Sequence, residues 1–136
     1  MNFLLDTNIC IAIMNDSSRA VRSRFERALA AKRQIFVSSI AVFELWYGVF
    51  KSSRVRLNSD RLEAFLEAPV GILCFDDDDA RAAGLINAEL KASGMPIGSY
   101  DVLMAGQAIQ KNLTLVTANI SEFSRVKKLT WQDWSR

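Results

Sequence analysis

Short apolar runs alternate along the chain with longer stretches of helical periodicity, and a capping residue stands at many of the boundaries. Phe3, Leu4 and Leu5 read as a buried strand, after which Thr7 or Asn8 caps a helix reaching Met14. Ser17 or Ser18 caps a second helix, whose apolar stripe is Val21, Phe25, Ala28 and Leu29. Residues 34–37 form a second strand, and Ser38 or Ser39 starts a strongly apolar helix over 40–50. A more polar helix over 57–68 stops before Pro69, and a third strand covers 71–75. The acidic run 76–79 opens a helix carrying Ala83, Ile86 and Leu90, which Gly94 closes. A further helix spans 100–111, residues 113–116 form a fourth strand, and 129–131 offer a short fifth. Buried strands alternating with helices predict an α/β fold, a three-layer α/β/α sandwich around a mainly parallel four- or five-stranded sheet. Strand order does not follow from the pattern.

The chain has 136 residues, half of them hydrophobic and 24% charged, which fits a single domain over 1–136. A chain of this length buries roughly two-thirds of its unfolded surface, so its core needs no disulfide or structural metal. Cys10 and Cys74 lie in separate apolar runs, without disulfide or zinc spacing, which suits a reducing cytosol. The N-terminal stretch has no basic segment and meets Asp6 early, unlike a signal peptide. The longest uncharged stretches are about half of what a membrane span needs. The expectation is a soluble, cytoplasmic protein with no membrane association. Histidine is absent, and this changes the picture most. It excludes Ser-His-Asp and Cys-His triads, histidine-bound zinc and histidine general bases. Catalysis must then run on carboxylates, on metals that carboxylates hold, or on Lys, Tyr and Ser.

Three acids stand isolated among apolar residues. Asp6 is the only charged side chain in the first fifteen residues, Glu44 the only one between Arg33 and Lys51, and Asp101 the only one between Lys91 and Lys111. Burying an unpaired carboxylate costs several kcal/mol unless a partner or metal compensates. One such acid reads equally well as a cap or a buried ion pair; three without a basic neighbour in sequence fit that reading poorly. Asp6 follows strand one directly, and ligands of open α/β sheets bind at the carboxyl ends of the strands. The turn Thr117-Ala118-Asn119 after strand four reaches the same edge. Converging carboxylate oxygens are hard ligands suited to Mg²⁺, with Mn²⁺ as a substitute. The run 76–79, the most acidic segment, reads instead as a solvated helix start, where the helix dipole favours negative charge.

Four stretches in order, LLDTNICI, SSIAVFELWYG, PIGSYDVLMAGQA and LVTANISEF, together with the closing LTWQDW, resemble the PIN-domain toxins of bacterial VapBC toxin–antitoxin pairs. The resemblance covers nearly the whole chain. It implies a PIN-like fold and a Mg²⁺-dependent endoribonuclease that arrests translation, forms a homodimer and is inhibited by a cognate VapB-type antitoxin. Operator DNA would be bound only through the antitoxin complex. Asp6, Glu44 and Asp101 fall on the family's three core acids, implied to hold the metal. At the fourth position, where many members carry an acid, this chain has Asn119, and Glu122 matches an acid three positions on. The loss of one charge there places a second tightly held ion in doubt. Asn8 and Thr117 look like residues that orient the acids by hydrogen bonds. The implied reaction is metal-assisted hydrolysis of an RNA phosphodiester, leaving a 5′-phosphate and a 3′-hydroxyl.

Two alternatives stand beside the ribonuclease: a metal-dependent nuclease on structured DNA, and a non-catalytic subunit of an operator-binding complex. Basic residues cluster at Arg19, Arg22, Arg24, Arg27, Lys32 and Arg33; at Lys51, Arg54, Arg56 and Arg61; and at Arg125, Lys127 and Lys128. Each cluster alone reads as a solvated surface, but one lining the acidic cleft would bind RNA phosphates with marked salt dependence. Trp46 and Tyr47, beside Glu44, read first as core and otherwise as a stacking or antitoxin-binding surface. Met14, Met95 and Met104 read as core or interface filler.

Overall fold

The computed structural model describes residues 1–67 and 69–136. Its strands are β1 (Phe3–Leu5), β2 (Ile35–Ser38), β3 (Gly71–Leu73), β4 (Thr114–Val116) and β5 (Trp131–Gln132). They form one sheet in the order β3-β2-β1-β4-β5, with every pairing parallel. The helices are α1 (Thr7–Asn15), α2 (Arg19–Ala30), α3 (Ser39–Phe50), α4 (Val55–Glu67), α5 (Asp77–Ala92), α6 (Ser99–Gln110) and the short α7 (Ile120–Phe123). The three-layer α/β sandwich expected from the pattern is present, and the fifth strand settles at Trp131–Gln132. The polar helix begins at Val55, two residues early, and its expected last residue, Ala68, lies outside the described residues. The one-turn α7 has too few residues to show a period and was not foreseen.

Side chains of the central strand alternate between the two layers. Phe3 and Leu5 enter a core with residues from α1 to α4, while Leu4 faces a second core with α5 and α6. Phe3 also packs edge-on against Trp134, with ring centroids 5.1 Å apart, so the C-terminal segment closes the first core. The register aligns Leu5 of β1 with Val116 of β4, so the next residues, Asp6 and Thr117, emerge side by side at the carboxyl edge.

Two expectations need correction. Thr7 and Asn8 do not cap α1: Asp6 does, its side chain accepting the Thr7 backbone N–H. A carboxylate at this end also meets the positive end of the helix dipole. The acidic run does open α5, with Asp76 and Asp79 forming a reciprocal capping box, but it is not solvated throughout. Asp79 is fully buried; its carboxylate lies 3.4 Å from the Lys111 ammonium, which also binds Asp76. Sequence proximity could not supply that partner, which comes from the far end of α6. Gln107, also buried, ties the layer together by donating to the Leu73 and Cys74 carbonyls, both at 3.2 Å.

The α5–α6 contact depends on Gly106. A Cβ there would stand 2.6 Å from the Ala83 Cα and N, backbone atoms that cannot swing aside. Gly106→Ala, favourable by roughly 1 kcal/mol in an open helix, should here destabilise by about 1–3 kcal/mol. Denaturant titration reads the sign directly. The Asp76–Lys111 pair gives a pH test. The hydrogen bond from Lys111 holds the Asp76 carboxyl below its ordinary range. Its stabilisation is therefore complete above the unfolded carboxyl value of roughly 4 and is lost as pH falls through the lower folded value. Asp76→Asn keeps a capping side chain, so its deficit in melting temperature should be constant near neutrality and vanish toward about pH 2–3. A deficit that persists in acid would exclude the ion pair as its source.

Candidate active site

Asp6, on the central strand's exit, is the only one of the three isolated acids that is buried; Glu44 and Asp101 are half-buried. Its Oδ1 accepts the Thr7 N–H at 2.8 Å and its Oδ2 accepts the Thr117 hydroxyl at 2.8 Å. The Thr117 hydroxyl oxygen in turn accepts the Asn119 N–H at 2.9 Å. Asn119 extends its Nδ2 to Glu122 and, at 3.4 Å, to Asp101. Glu122 Oε1 accepts the Gly98 N–H at 3.1 Å, just ahead of α6. On the opposite side, the Thr7 hydroxyl donates to Glu44 Oε1 at 2.8 Å. One run of hydrogen bonds thus joins Glu44, Asp6, Thr117, Asn119, Asp101 and Glu122, drawn from α1, α3, α6, α7 and the ends of β1 and β4.

The residues singled out in the sequence are brought together with one exception. Asn8 is exposed on α1, and no hydrogen bond joins its side chain to an acid among the described residues. The hydroxyl reaching Glu44 belongs to Thr7, which sequence reasoning treated only as a cap. Gly98 was also overlooked. A Cβ at Gly98 would stand 3.1 Å from Asp101 Oδ2, so the missing side chain leaves room for that carboxylate. Trp46 stacks on Phe50 at 5.5 Å, while Tyr47, expected first as core, is exposed with Lys51 over its ring. The helical period places it on the solvent side of α3, opposite Ala41, Leu45 and Val49.

No ion pair reaches Asp6, Glu44 or Asp101 among the described residues. Burial raises the Asp6 carboxyl above its ordinary range, and the Glu44 and Glu122 charges push the same way. The Thr117 and Thr7 hydrogen bonds oppose that rise. Asp101 is pushed up to about 7, first by desolvation, then by its hydrogen bond to Glu122 and by the charges of Asp6, Glu122 and Glu44. Glu122 moves down, chiefly because Asn119 and then Asp101 hydrogen-bond to it. Burial and crowding by like charges thus act together to make Asp101 the acid of the cluster that holds its proton most readily, with Glu122 as the acceptor beside it. No group of three or more acids among the described residues is already at metal-ligating spacing. The two threonine hydroxyls donate to Asp6 and Glu44 and so hold those carboxylates in place without neutralising them. In kind, the donors are all oxygen and anionic, the set a hard divalent ion takes.

A family model described as "PIN domain" matches residues 3–129. The chain is 38% identical over 136 residues to "Ribonuclease VapC2" of Rickettsia felis, covering all of both chains. It is 37% identical over 135 residues to "tRNA(fMet)-specific endonuclease VapC" of Shigella flexneri, covering 99% of each. Its fold is similar to a crystal structure of VapBC2 from Rickettsia felis bound to a DNA fragment from their promoter. The TM-score is 0.91 at 36% identity, over 98% of this chain and 99% of that one.

Replacing the buried Thr117 by Val removes the donor to Asp6 and the acceptor of the Asn119 N–H at nearly constant volume. Stability should fall by about 1–3 kcal/mol, the cost of leaving a buried polar group unpartnered. Asn8→Ala, at an exposed position without such a bond, should stay within about 0.5 kcal/mol. Chemical denaturation of the two variants beside the parent checks both.

Proposed function

The chain belongs to the PIN domain family, and we propose that its acid cluster holds Mg²⁺ and hydrolyses RNA phosphodiester bonds as the toxin of a toxin–antitoxin pair. The RNA-cleaving assignment follows the curated relatives, which are ribonucleases and tRNA endonucleases matched over essentially their full length. The observation favouring the metal is the convergence of Asp101, pushed up to about 7, and Glu122 beside a buried Asp6 without a basic partner among the described residues. Carboxylates crowded and buried enough to raise one another's pKa form a site whose repulsion a divalent cation can relieve.

Asp6, Asp101 and Glu44 would hold the ion, and Mn²⁺ would serve in its place. When bound, it supplies a Lewis acid for the scissile phosphate and lowers the pKa of a water. The chain's own residues do the positioning. Thr7 fixes Glu44, Thr117 fixes Asp6, and Asn119 spans Asp101 and Glu122. Asn119 brings no negative charge, which favours one tightly held ion over two. Glu122, held by Asn119 and the Gly98 N–H and kept below its ordinary range by them, stands beside Asp101 as a hydrogen-bond acceptor.

The structural relatives include VapBC complexes, some bound to DNA, which supports an antitoxin partner for this chain and operator contact through that partner. A homodimer is part of the same reading. No helix among the described residues is long and apolar enough to cross a membrane.

The decisive experiment is cleavage of RNA and DNA side by side with Mg²⁺ and with chelator, starting with tRNA(fMet). Asp6→Asn should lower RNA cleavage by on the order of 10²–10³-fold. At ten times the dissociation constant, Mg²⁺ should stabilise the parent by about 1.4 kcal/mol. Asp6→Asn should lose most of that gain and Asp78→Asn, at an exposed position on α5, should keep it. Cleavage unaffected by chelator would exclude the metal, and cleavage of DNA alone would exclude the ribonuclease.

A further inference from the structure

Away from the acid cleft, an open groove of about 770 Å³ lies between α5, the end of α6 and the segment following α7. Leu85, Ile86 and Val126 give it an apolar floor, and Arg81, Arg125, Lys127 and Lys128 stand along it against two acids, Asp78 and Glu89. None of the four cations is in an ion pair among the described residues. The groove therefore carries a net positive charge in a protein whose whole chain is only +2.

Arg125 joins this groove to the acid cluster. Its guanidinium donates to the Pro96 carbonyl at 2.9 Å, two residues before Gly98, and its charge helps hold the neighbouring Glu122 down. A strand whose phosphate sits at the acids thus meets Arg125 and then the groove without leaving the surface. Cations beside an apolar floor suit a single-stranded nucleic acid, with phosphates on the Lys and Arg groups and base faces on the floor or on guanidinium planes. Neither of the other two basic clusters lines this groove: the first lies on α2 and just after it, and from the other only Arg61 lines a separate cavity of about 230 Å³.

We infer that the α5–α6 groove is an RNA-binding track that seats the single-stranded segment flanking the scissile phosphate, through Arg81, Lys127 and Lys128. This rests on the ribonuclease reading of the acid cluster and assigns the third basic cluster to substrate. It also implies that affinity for long RNA is set largely outside the metal site.

The test separates binding from cleavage. Fluorescence anisotropy with a labelled single-stranded RNA of about 20 nucleotides in chelator measures affinity without turnover, across a salt series. Lys127→Ala/Lys128→Ala should weaken binding by about tenfold and reduce the salt slope by about 1.4, two phosphate contacts at roughly 0.7 each. Adding Arg81→Ala should take the slope down by about a further 0.7. Arg19→Ala/Arg27→Ala, the same charge loss on exposed positions of α2, should leave affinity and slope as in the parent. Melting curves confirm that each variant is folded. Equal losses from the α2 pair would reduce the effect to net charge and overturn the track. So would unchanged RNA binding with an altered oligomeric state by light scattering, which would make the groove a protein interface. The ribonuclease reading fails separately, if the parent cleaves no RNA with Mg²⁺ while these binding differences persist.

Discussion

Parallel pairing of β1 with β4 is the constraint from which the site follows. Two strands separated by most of the chain lie in a register that delivers Asp6 and Thr117 as neighbours, and the hydroxyl of one binds the carboxylate of the other. That hydroxyl and the Thr7 N–H oppose the rise that burial imposes on the Asp6 carboxyl. The remaining acids are then arranged relative to Asp6, Glu44 through Thr7 and Asp101 through Asn119. Slipping the strands by one residue would send Asp6 to the other layer and Thr117 away from it.

The cluster stores electrostatic repulsion where the protein can use it. Carboxylates brought together without a cation hold protons more readily, and here Asp101, hydrogen-bonded to Glu122, is pushed up to about 7. Hydrogen bonds to neutral side chains hold the geometry without discharging it. An arginine or lysine inside the cluster would neutralise it permanently. The basic residues are instead kept outside, with Arg125 the nearest to Glu122.

Much of this was legible in the sequence, for reasons that differ by residue. The alternation of strands and helices follows from hydrophobic period alone, and the central acids stood out because a lone charge in an apolar run is costly. Strand order was not legible, since each crossover can step to either side of the growing sheet. The role of Thr7 depends on a contact with Glu44 on another helix, which no local pattern encodes. Asp79 looked like a solvated member of an acidic run because its partner, Lys111, arrives from the end of a later helix. Gly106 gave no signal, since only the approach of α5 shows why a side chain is missing there.

The arrangement of the sheet also bears on synthesis. Asp6 is made well before its hydroxyl donor Thr117, which lies 111 positions later, and the first core closes only when Trp134 packs on Phe3. Contacts of such long sequence separation form late, because the loop between them must be ordered first. A nascent chain on the ribosome therefore carries the acids but not the assembled site. Whatever activity the site confers is a property of the closed sheet, which no stretch of chain short of β4 can supply.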